Sequence, residues 1–191
     1  MKVVGISGTP RKGGNTECLI KECLNEFSKQ GWTVSEFFLS EKTVKSCIGC
    51  DSCKENGVCV ITDDDAGALF ADLISCDAVI IGSPVYYRNV TAQLKAVFDR
   101  NYPYGYKTLE GKPGSAIAVG RGEGAGQATT LMIIYNFMLS CGGLPVPGEM
   151  NGLSARADKP GDILSQERRL KQARILAQNV IQYAEKLRGA K

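Results

Sequence analysis

The sequence predicts an α/β fold in which a parallel sheet is covered by helices on both faces. Short apolar runs alternate along the chain with longer segments of helical period. Strands that are buried on both faces read as continuous apolar runs, as these do. The chain has 191 residues, 43% of them hydrophobic, which is enough for one ordinary domain with a substantial core.

The predicted strands are short apolar runs that end at turn residues. The first runs straight into a glycine-rich turn. The last is short, because Gly142-Gly143 and Pro147-Gly148 bound it. In chain order the five strands are predicted at residues 3–6, 33–39, 78–81, 116–119 and 144–146.

The predicted helices lie between these strands and after the last one. In the first helix, five apolar residues between Leu19 and Phe27 fall on one face, and the last repeats this spacing between Leu170 and Leu187. The helices are predicted at residues 16–30, 65–75, 91–100, 125–140 and about 162–188.

Five strands alternating with helices suit a flavodoxin-like fold better than a six-stranded dinucleotide-binding sheet. We therefore expect a flavodoxin-like three-layer sandwich, with a five-stranded parallel sheet of order 2-1-3-4-5 and helices on both faces. Residues 1–191 are predicted to form a single domain. A cysteine-rich loop at about residues 45–62 is inserted after the second strand.

Composition and charge exclude several classes of function. The net charge of +3 is too small to argue for nucleic acid or an anionic membrane. No apolar run approaches the length of a membrane span, and the N-terminus lacks signal-peptide architecture. We therefore expect a cytoplasmic protein, in which clustered thiols usually indicate metal or redox chemistry rather than structural disulfides.

The chain contains no histidine. This excludes Ser-His-Asp and Cys-His hydrolases, histidine-ligated zinc sites and imidazole acid/base catalysis. If the protein is an enzyme, a bound cofactor is therefore the leading candidate for the chemistry.

The loop after the first strand carries the groups that bind an anion. It offers hydroxyls at Ser7, Thr9 and Thr16, an amide at Asn15 and a guanidinium at Arg11. Free N–H groups at the following helix N-terminus add to this set. In an open parallel sheet, ligands bind at the carboxyl ends of the strands, where this loop lies. The simpler interpretation is an ordinary strand-to-helix turn.

Two familiar nucleotide motifs fail in this loop. Gly8 and Gly13 have the spacing of a Walker loop, but Gly14-Asn15 stands where a lysine and a hydroxyl residue are required. The Gly-x-Gly-x-x-Gly dinucleotide pattern is absent. A loop rich in hydroxyls with one arginine suits a single terminal phosphate, such as that of FMN.

Two further loops follow the third and fourth strands. Residues 82–90 include Pro84, Tyr86 and Tyr87, which suit contact with a flat ring, and residues 120–127 are rich in glycine, which lets backbone approach a ligand. Taken alone, the sequence of each loop is equally typical of a surface turn. Three such loops at three strand ends favour a binding site, because the fold brings them together.

Four of the eight cysteines, Cys47, Cys50, Cys53 and Cys59, lie within thirteen residues. Zinc sites usually pair two knuckles separated by a longer stretch, whereas the first three cysteines have the even spacing of the ferredoxin Cys-x2-Cys-x2-Cys core. The fourth comes after five residues and is followed by Val60 rather than proline. The loop thus predicts iron–sulfur ligands, although unmetallated thiols or a zinc site would also fit four cysteines. The remaining cysteines, interpreted as small buried hydrophobes, are Cys18, Cys23, Cys76 and Cys141.

These motifs resemble the flavodoxin-like NAD(P)H-dependent FMN reductases and, within that group, the iron–sulfur flavoproteins. The resemblance covers roughly the first two-thirds of the chain. The matching segments are residues 7–16, 47–59 with 63–65, 84–90 with 94–100, and 120–127.

The resemblance implies a role for each matching position. The residues implied to hold the FMN phosphate are Ser7, Thr9, Arg11, Asn15 and Thr16. Those implied to line the isoalloxazine are Pro84, Val85, Tyr86 and Asn89, with Gly120 and Gly126 near its other edge. The compact cysteine motif of the family implies one [4Fe–4S] cluster on Cys47, Cys50, Cys53 and Cys59. No catalytic side chain is assigned, and a homodimer or homotetramer is expected.

The predicted function is an FMN-dependent oxidoreductase, or electron-transfer flavoprotein, that couples FMN to a [4Fe–4S] cluster. Ferredoxin or NAD(P)H would donate electrons, and a small molecule or a protein would accept them. The main rival hypothesis is an NAD(P)H-dependent FMN or quinone reductase without a cluster. Two further hypotheses are a non-enzymatic electron carrier and a zinc-stabilised binding protein.

Overall fold

A parallel sheet forms the centre of the protein, and its strands, numbered along the chain, follow the predicted order 2-1-3-4-5. The structure is a computed structural model that describes residues 1–122 and 126–189. The strands are β1 (Lys2–Ser7), β2 (Thr33–Phe38), β3 (Ala78–Pro84), β4 (Pro113–Gly120) and β5 (Leu144–Pro145).

A further strand, β6 (Leu153–Arg156), was not predicted. It pairs in parallel with β4, with Leu153 opposite Ile117, on the strand that also pairs with β5. The fifth position of the sheet is therefore occupied by two short strands in succession, with residues 146–152 between them. The prediction missed β6 because only its two alternate positions, Leu153 and Ala155, are buried, which gives no continuous apolar run.

The helices lie close to their predicted positions. A short helix inside the cysteine loop was not predicted, and the C-terminal segment begins with a separate 3₁₀ turn at Asp162–Ser165. The predicted helix start at Ala125 lies outside the described residues. The helices are α1 (Asn15–Lys29), α2 (Ser52–Asn56), α3 (Ala66–Ser75), α4 (Ala92–Asp99), α5 (Gly126–Ser140) and α6 (Glu167–Gly189).

Each face of the sheet has its own hydrophobic core. Helices α1 and α6 cover the face that includes Val3 and Ile80, while α3, α4 and α5 cover the face that includes Val4 and Ile81. This is the predicted three-layer arrangement. In the described part of the chain, no helix is long and apolar enough to cross a membrane.

The cysteines outside the loop divide into two groups. Cys23, Cys76 and Cys141 are buried, as predicted, and burial raises the pKa of the Cys76 and Cys141 thiols to about 11 and about 12. Cys18 is only half-buried, so its interpretation as a buried hydrophobe was too strong. Cys18 lies on α1, and its thiol donates to the Gly13 carbonyl of the first loop.

β3 and β4 pack closely together at Gly114. A Cβ at this position would lie 2.5 Å from Val79 Cγ1 and 2.6 Å from the Val79 carbonyl oxygen. We expect Gly114→Ala to lower the free energy of unfolding by about 1–3 kcal/mol, because the backbone contact cannot move aside. Chemical denaturation measures this change. Gly67→Ala is the matched control, since its Cβ would meet nothing within 4 Å, and equal stability of the two variants would contradict the prediction.

Candidate functional site

A cavity of about 620 Å³ lies at the carboxyl ends of β1, β3 and β4. All three loops singled out in the sequence contribute to its wall. Nine of the eleven residues predicted to bind a cofactor line it, namely Thr9, Arg11, Asn15, Thr16, Pro84, Val85, Tyr86, Gly120 and Gly126. The two that do not line it are Ser7 and Asn89.

The first loop is held tightly against the second. The Gly8 N–H donates to the Gly82 carbonyl at 2.8 Å, and the Thr91 hydroxyl donates to the Gly8 carbonyl at 2.6 Å. Gly14 is required in this turn, since a Cβ there would lie 2.9 Å from the Arg11 carbonyl oxygen. The backbone of the loop is therefore fixed before any ligand enters.

The start of α1 supplies uncapped N–H groups to this cavity. Its N-cap is Gly14, which has no side chain with which to satisfy them. The Thr16 hydroxyl and the Arg11 guanidinium line the same wall. Free N–H groups, a hydroxyl and a cation together make a site for an anion such as a phosphate.

Ser7 and Asn15 have positions that the sequence did not reveal. Ser7 is fully buried at the end of β1, and its hydroxyl has no hydrogen-bond partner among the described residues. The Asn15 amide is already engaged, because it donates to the Lys159 carbonyl at 2.8 Å and accepts from the Ile163 N–H at 3.1 Å. Asn15 therefore ties the C-terminal segment to the cavity wall, and the phosphate role of both residues stays a prediction.

The second loop contains a tight turn that presents two aromatic residues. Tyr86 and Asn89 exchange two backbone hydrogen bonds of 3.0 Å, and the residues between them, Tyr87 and Arg88, have φ values of 48° and 60°. Non-glycine residues rarely adopt this conformation. The Asn89 side chain accepts from the Val90 N–H at 2.8 Å, so Asn89 stabilises the turn instead of lining the cavity.

Sequence reasoning missed the fourth wall of the cavity, which comes from the C-terminal third of the chain. Ala157, Asp158 and Pro160 line it, and Asp158 forms an ion pair of 2.6 Å with Arg121 from the loop after β4. No motif marks this segment. Its position follows from the pairing of β6 with β4, which brings the end of β6 to the same edge of the sheet.

The cavity fits a flavin mononucleotide in its chemistry. The first loop supplies the anion site, and Pro84, Val85 and Tyr86 line the same cavity. Gly120 and Gly126 allow close packing within this wall, since a Cβ at either would lie 2.9 Å from a side chain that also lines the cavity, Gln127 or Val85. A phosphate and a flat ring are the two parts of FMN that these surfaces suit.

A second cavity, of about 330 Å³, is lined by all four clustered cysteines. Cys47 and Cys50 are exposed, while Cys53 and Cys59 are half-buried. Within residues 1–122 and 126–189, no three acidic or cysteine side chains converge closely enough to hold a single metal ion. The donor set, four thiols around one space, is nevertheless the one that iron–sulfur clusters use.

The backbone of the cysteine loop turns sharply on either side of α2. Gly49 and Gly57 have φ values of 64° and 67°, a conformation that glycine adopts readily and that lets the loop fold round a centre. The Gly49 N–H donates to Cys47 Sγ at 3.4 Å, and hydrogen bonds from Ser52 lower the pKa of the Cys50 thiol. The hydrogen bonds from Ser52 stabilise the anionic form of the Cys50 sulfur.

A buried ion pair stands beside this cavity. Arg100 Nη1 lies 2.7 Å from Asp64 Oδ2, and the side chains are only 3% and 1% exposed. Burial acts to raise the pKa of Asp64, but hydrogen bonds from the Lys45 N–H and from Arg100 outweigh it and lower that pKa. For Arg100, burial acts to lower the pKa, and Asp64 followed by Cys59 more than offset this effect.

We expect Asp64→Asn to destabilise the protein by about 3–5 kcal/mol at neutral pH, because it leaves a buried guanidinium without its counter-ion. Urea unfolding measures the loss. Asp64 contributes stability that is fully present above its ordinary pKa of 3.8 and is lost as pH falls through its lowered pKa. The difference between wild type and variant should therefore shrink below about pH 4.

The matched control for this prediction is Asp63→Asn. Asp63 is the neighbouring carboxylate, largely exposed, and paired with Lys45 at the surface. Exposed pairs contribute about 0–1 kcal/mol. If the two variants lose equal stability, Asp64 is not acting through a buried charge.

Comparison with known proteins gives the same family as the motifs. The model of the NADPH-dependent FMN reductase family matches residues 1–155. An iron–sulfur flavoprotein of Methanocaldococcus jannaschii is 39% identical over 94% of this chain and 95% of its own. An iron–sulfur flavoprotein of Methanosarcina thermophila is 38% identical over 72% of this chain and 73% of its own.

A solved structure shows the same fold. It is the WrbA-like flavodoxin from Agrobacterium tumefaciens, which matches with a TM-score of 0.66 over 100% of this chain and 98% of its own, at 17% identity. Fold, motifs and relatives agree, and the predicted resemblance is confirmed. The chain therefore belongs to the NADPH-dependent FMN reductase family, within it to the iron–sulfur flavoproteins, and is an FMN-dependent oxidoreductase.

Proposed function

We propose that this protein couples FMN, bound in the larger cavity, to a [4Fe–4S] cluster held by the cysteine loop. The observation that carries the proposal is the placement of Cys47, Cys50, Cys53 and Cys59 round one cavity, in a chain whose larger cavity suits a flavin. The names of the iron–sulfur flavoprotein relatives support it.

In the larger cavity, the chain's own residues bind and orient the flavin. Thr9, Arg11, Thr16 and the N–H groups at the start of α1 would hold the phosphate. Pro84, Val85 and Tyr86 would face the ring, with Gly120 and Gly126 at its other edge. Ser7 and Asn89 would act from behind this wall. When bound, FMN supplies two-electron chemistry that can also proceed in single-electron steps.

In the smaller cavity, the four thiolates would hold the cluster, which supplies one-electron chemistry when bound. Hydrogen bonds from Ser52 stabilise anionic sulfur at Cys50, and the Gly49 N–H donates to Cys47 Sγ. The two cavities share no lining residue. Electrons would therefore cross intervening protein, or a contact between subunits of a homodimer or homotetramer.

This arrangement connects carriers of one electron with carriers of two. Ferredoxin or NAD(P)H would serve as donor, and a quinone, oxygen, a peroxide or a protein would serve as acceptor. The absence of histidine fits such a function, since the cofactors supply the chemistry and the side chains supply position.

A second candidate is an NAD(P)H-dependent FMN or quinone reductase whose cysteines carry no metal. The spread of the four thiols, no three of which converge on a point in the described residues, favours it. The description of the matching family also names an NADPH-dependent FMN reductase.

Anaerobic reductive titration distinguishes the two candidates. The purified protein is reconstituted with iron and sulfide, and dithionite is added while flavin absorbance is followed. The proposal predicts about three electron equivalents per chain, two for FMN and one for the cluster. An end point of about two equivalents, with only the flavin bleached, would support the reductase without a cluster.

A further inference from the structure

We propose that Arg100 is a positioning residue for the cysteine ligands, closing the neck of their loop and supplying an N–H to sulfur in the adjoining cavity. The loop neck is defined here as Lys45 and Ile61, the residues two positions before Cys47 and two after Cys59. The part of this inference that concerns donation to sulfur rests on the proposed cluster, whereas the part that concerns closure of the loop neck does not.

One guanidinium joins both sides of the neck. Arg100 Nη1 donates to the Lys45 carbonyl at 3.0 Å, and Nη2 donates to the Ile61 carbonyl at 2.8 Å. Since both bonds start from one rigid planar group, they fix the separation of the two chain segments. The positions of Cys47 and Cys59 relative to each other follow from that separation.

Asp64 holds the guanidinium in place. Its carboxylate accepts from Nη1 at 2.7 Å, from the Lys45 N–H at 2.9 Å and from the Ala66 N–H at 3.1 Å. Arg100 and Asp64 are both almost fully buried. A lysine at position 100 would keep the charge but lose the fork that reaches Lys45, Ile61 and Asp64 together.

The remaining donor of Arg100, its Nε–H group, indicates that a ligand binds here. Nε is buried and makes no hydrogen bond within the described residues, while Nη1 and Nη2 make all the bonds given above. The Cys59 side chain lies close enough to the guanidinium to help raise its pKa, so sulfur is the nearby acceptor. Arg100 also lines the cavity of the four cysteines. A buried donor without a partner is costly, and sulfur of Cys59 or of a bound cluster would satisfy it. Hydrogen bonds to cluster sulfurs raise the reduction potential.

The first test uses the full chain without metal. In Arg100→Lys, we expect hydrogen exchange of the Lys45 and Ala66 amides to accelerate about tenfold or more, because the neck opens locally. Arg174→Lys is the matched control, an arginine that bonds Glu22 and Glu167 on the other side of the protein. If the exchange rates of the Lys45 and Ala66 amides are unchanged in Arg100→Lys, the inference that Arg100 closes the loop neck is overturned.

The second test uses reconstituted protein. Loss of iron to a chelator should be about 10- to 100-fold faster in Arg100→Lys, as for other residues that support metal ligands. The potential of the cluster should become more negative, while FMN content stays equal to wild type. Equal iron loss and equal potential would overturn the sulfur role. Wild-type protein that takes up no iron would instead contradict the proposed cluster. The hydrogen-exchange test would still decide whether Arg100 closes the loop neck.

A variant that fails to fold does not end the test. Should Arg100→Lys be unstable, Arg100→Gln combined with Asp64→Asn removes the fork without burying a net charge. The same amide exchange and iron-loss measurements apply to it. Wild-type behaviour of this double variant in both measurements would overturn the inference.

Discussion

Replacing Cys59 with alanine should remove the proposed [4Fe–4S] cluster and leave the flavin in place. We expect iron to fall from about four per chain to less than one, because a [4Fe–4S] cluster needs four thiolates and this loop offers no fifth. Bound FMN should not change, since Cys59 does not line the larger cavity. Iron, sulfide and flavin analysis after anaerobic reconstitution measures the effect.

Cys18→Ala is the control for this experiment. Cys18 is also partly exposed but lies on α1, apart from the cysteine loop. Its replacement should leave iron at the wild-type level. Full retention of iron in Cys59→Ala would show that the fourth ligand lies elsewhere, and it would remove Cys59 from the site.

Replacing Arg11 with alanine should weaken FMN binding by about 10- to 100-fold. A hydrogen bond to a charged group is worth about 1.5–3 kcal/mol, which corresponds to that range of affinity. Arg11 is exposed and lines the cavity, so its removal should leave the stability of the fold unchanged. Fluorescence titration of the apoprotein with FMN measures the dissociation constant.

The neighbouring Lys12 provides the control for Arg11. It is exposed, forms an ion pair with Glu41 and does not line the cavity. Lys12→Ala should therefore bind FMN as wild type does. If Arg11→Ala also keeps its wild-type affinity, the phosphate is held by the hydroxyls and N–H groups alone.

The parts of the fold that were predicted from the sequence are those with strong local patterns. β1 and β3 are buried on both faces, so each reads as a continuous apolar run. The strand order followed from the alternation of strands with helices. β6 was not predicted, because its four residues alternate and its pairing with β4 is decided by distant contacts.

In the candidate site, too, local patterns could be predicted and distant contacts could not. The polar groups of the loop after β1 lie within ten residues of sequence, and the four clustered cysteines lie within thirteen. Their spacing in the sequence was therefore enough to find both candidate sites. Asp158 and Arg121 meet across 37 positions, and Asp64 and Arg100 across 36, so no local pattern could reveal either pair. Asn15 was predicted as a ligand from its residue type, yet tertiary packing gives its amide two protein partners.

The proposed function requires one chain to carry both a flavin and a cluster. The most direct measurement is the content of FMN, iron and acid-labile sulfide in protein purified and reconstituted without oxygen. We expect about one FMN, four iron and four sulfide per chain. Stoichiometric FMN with iron near zero after reconstitution would contradict the proposed coupling.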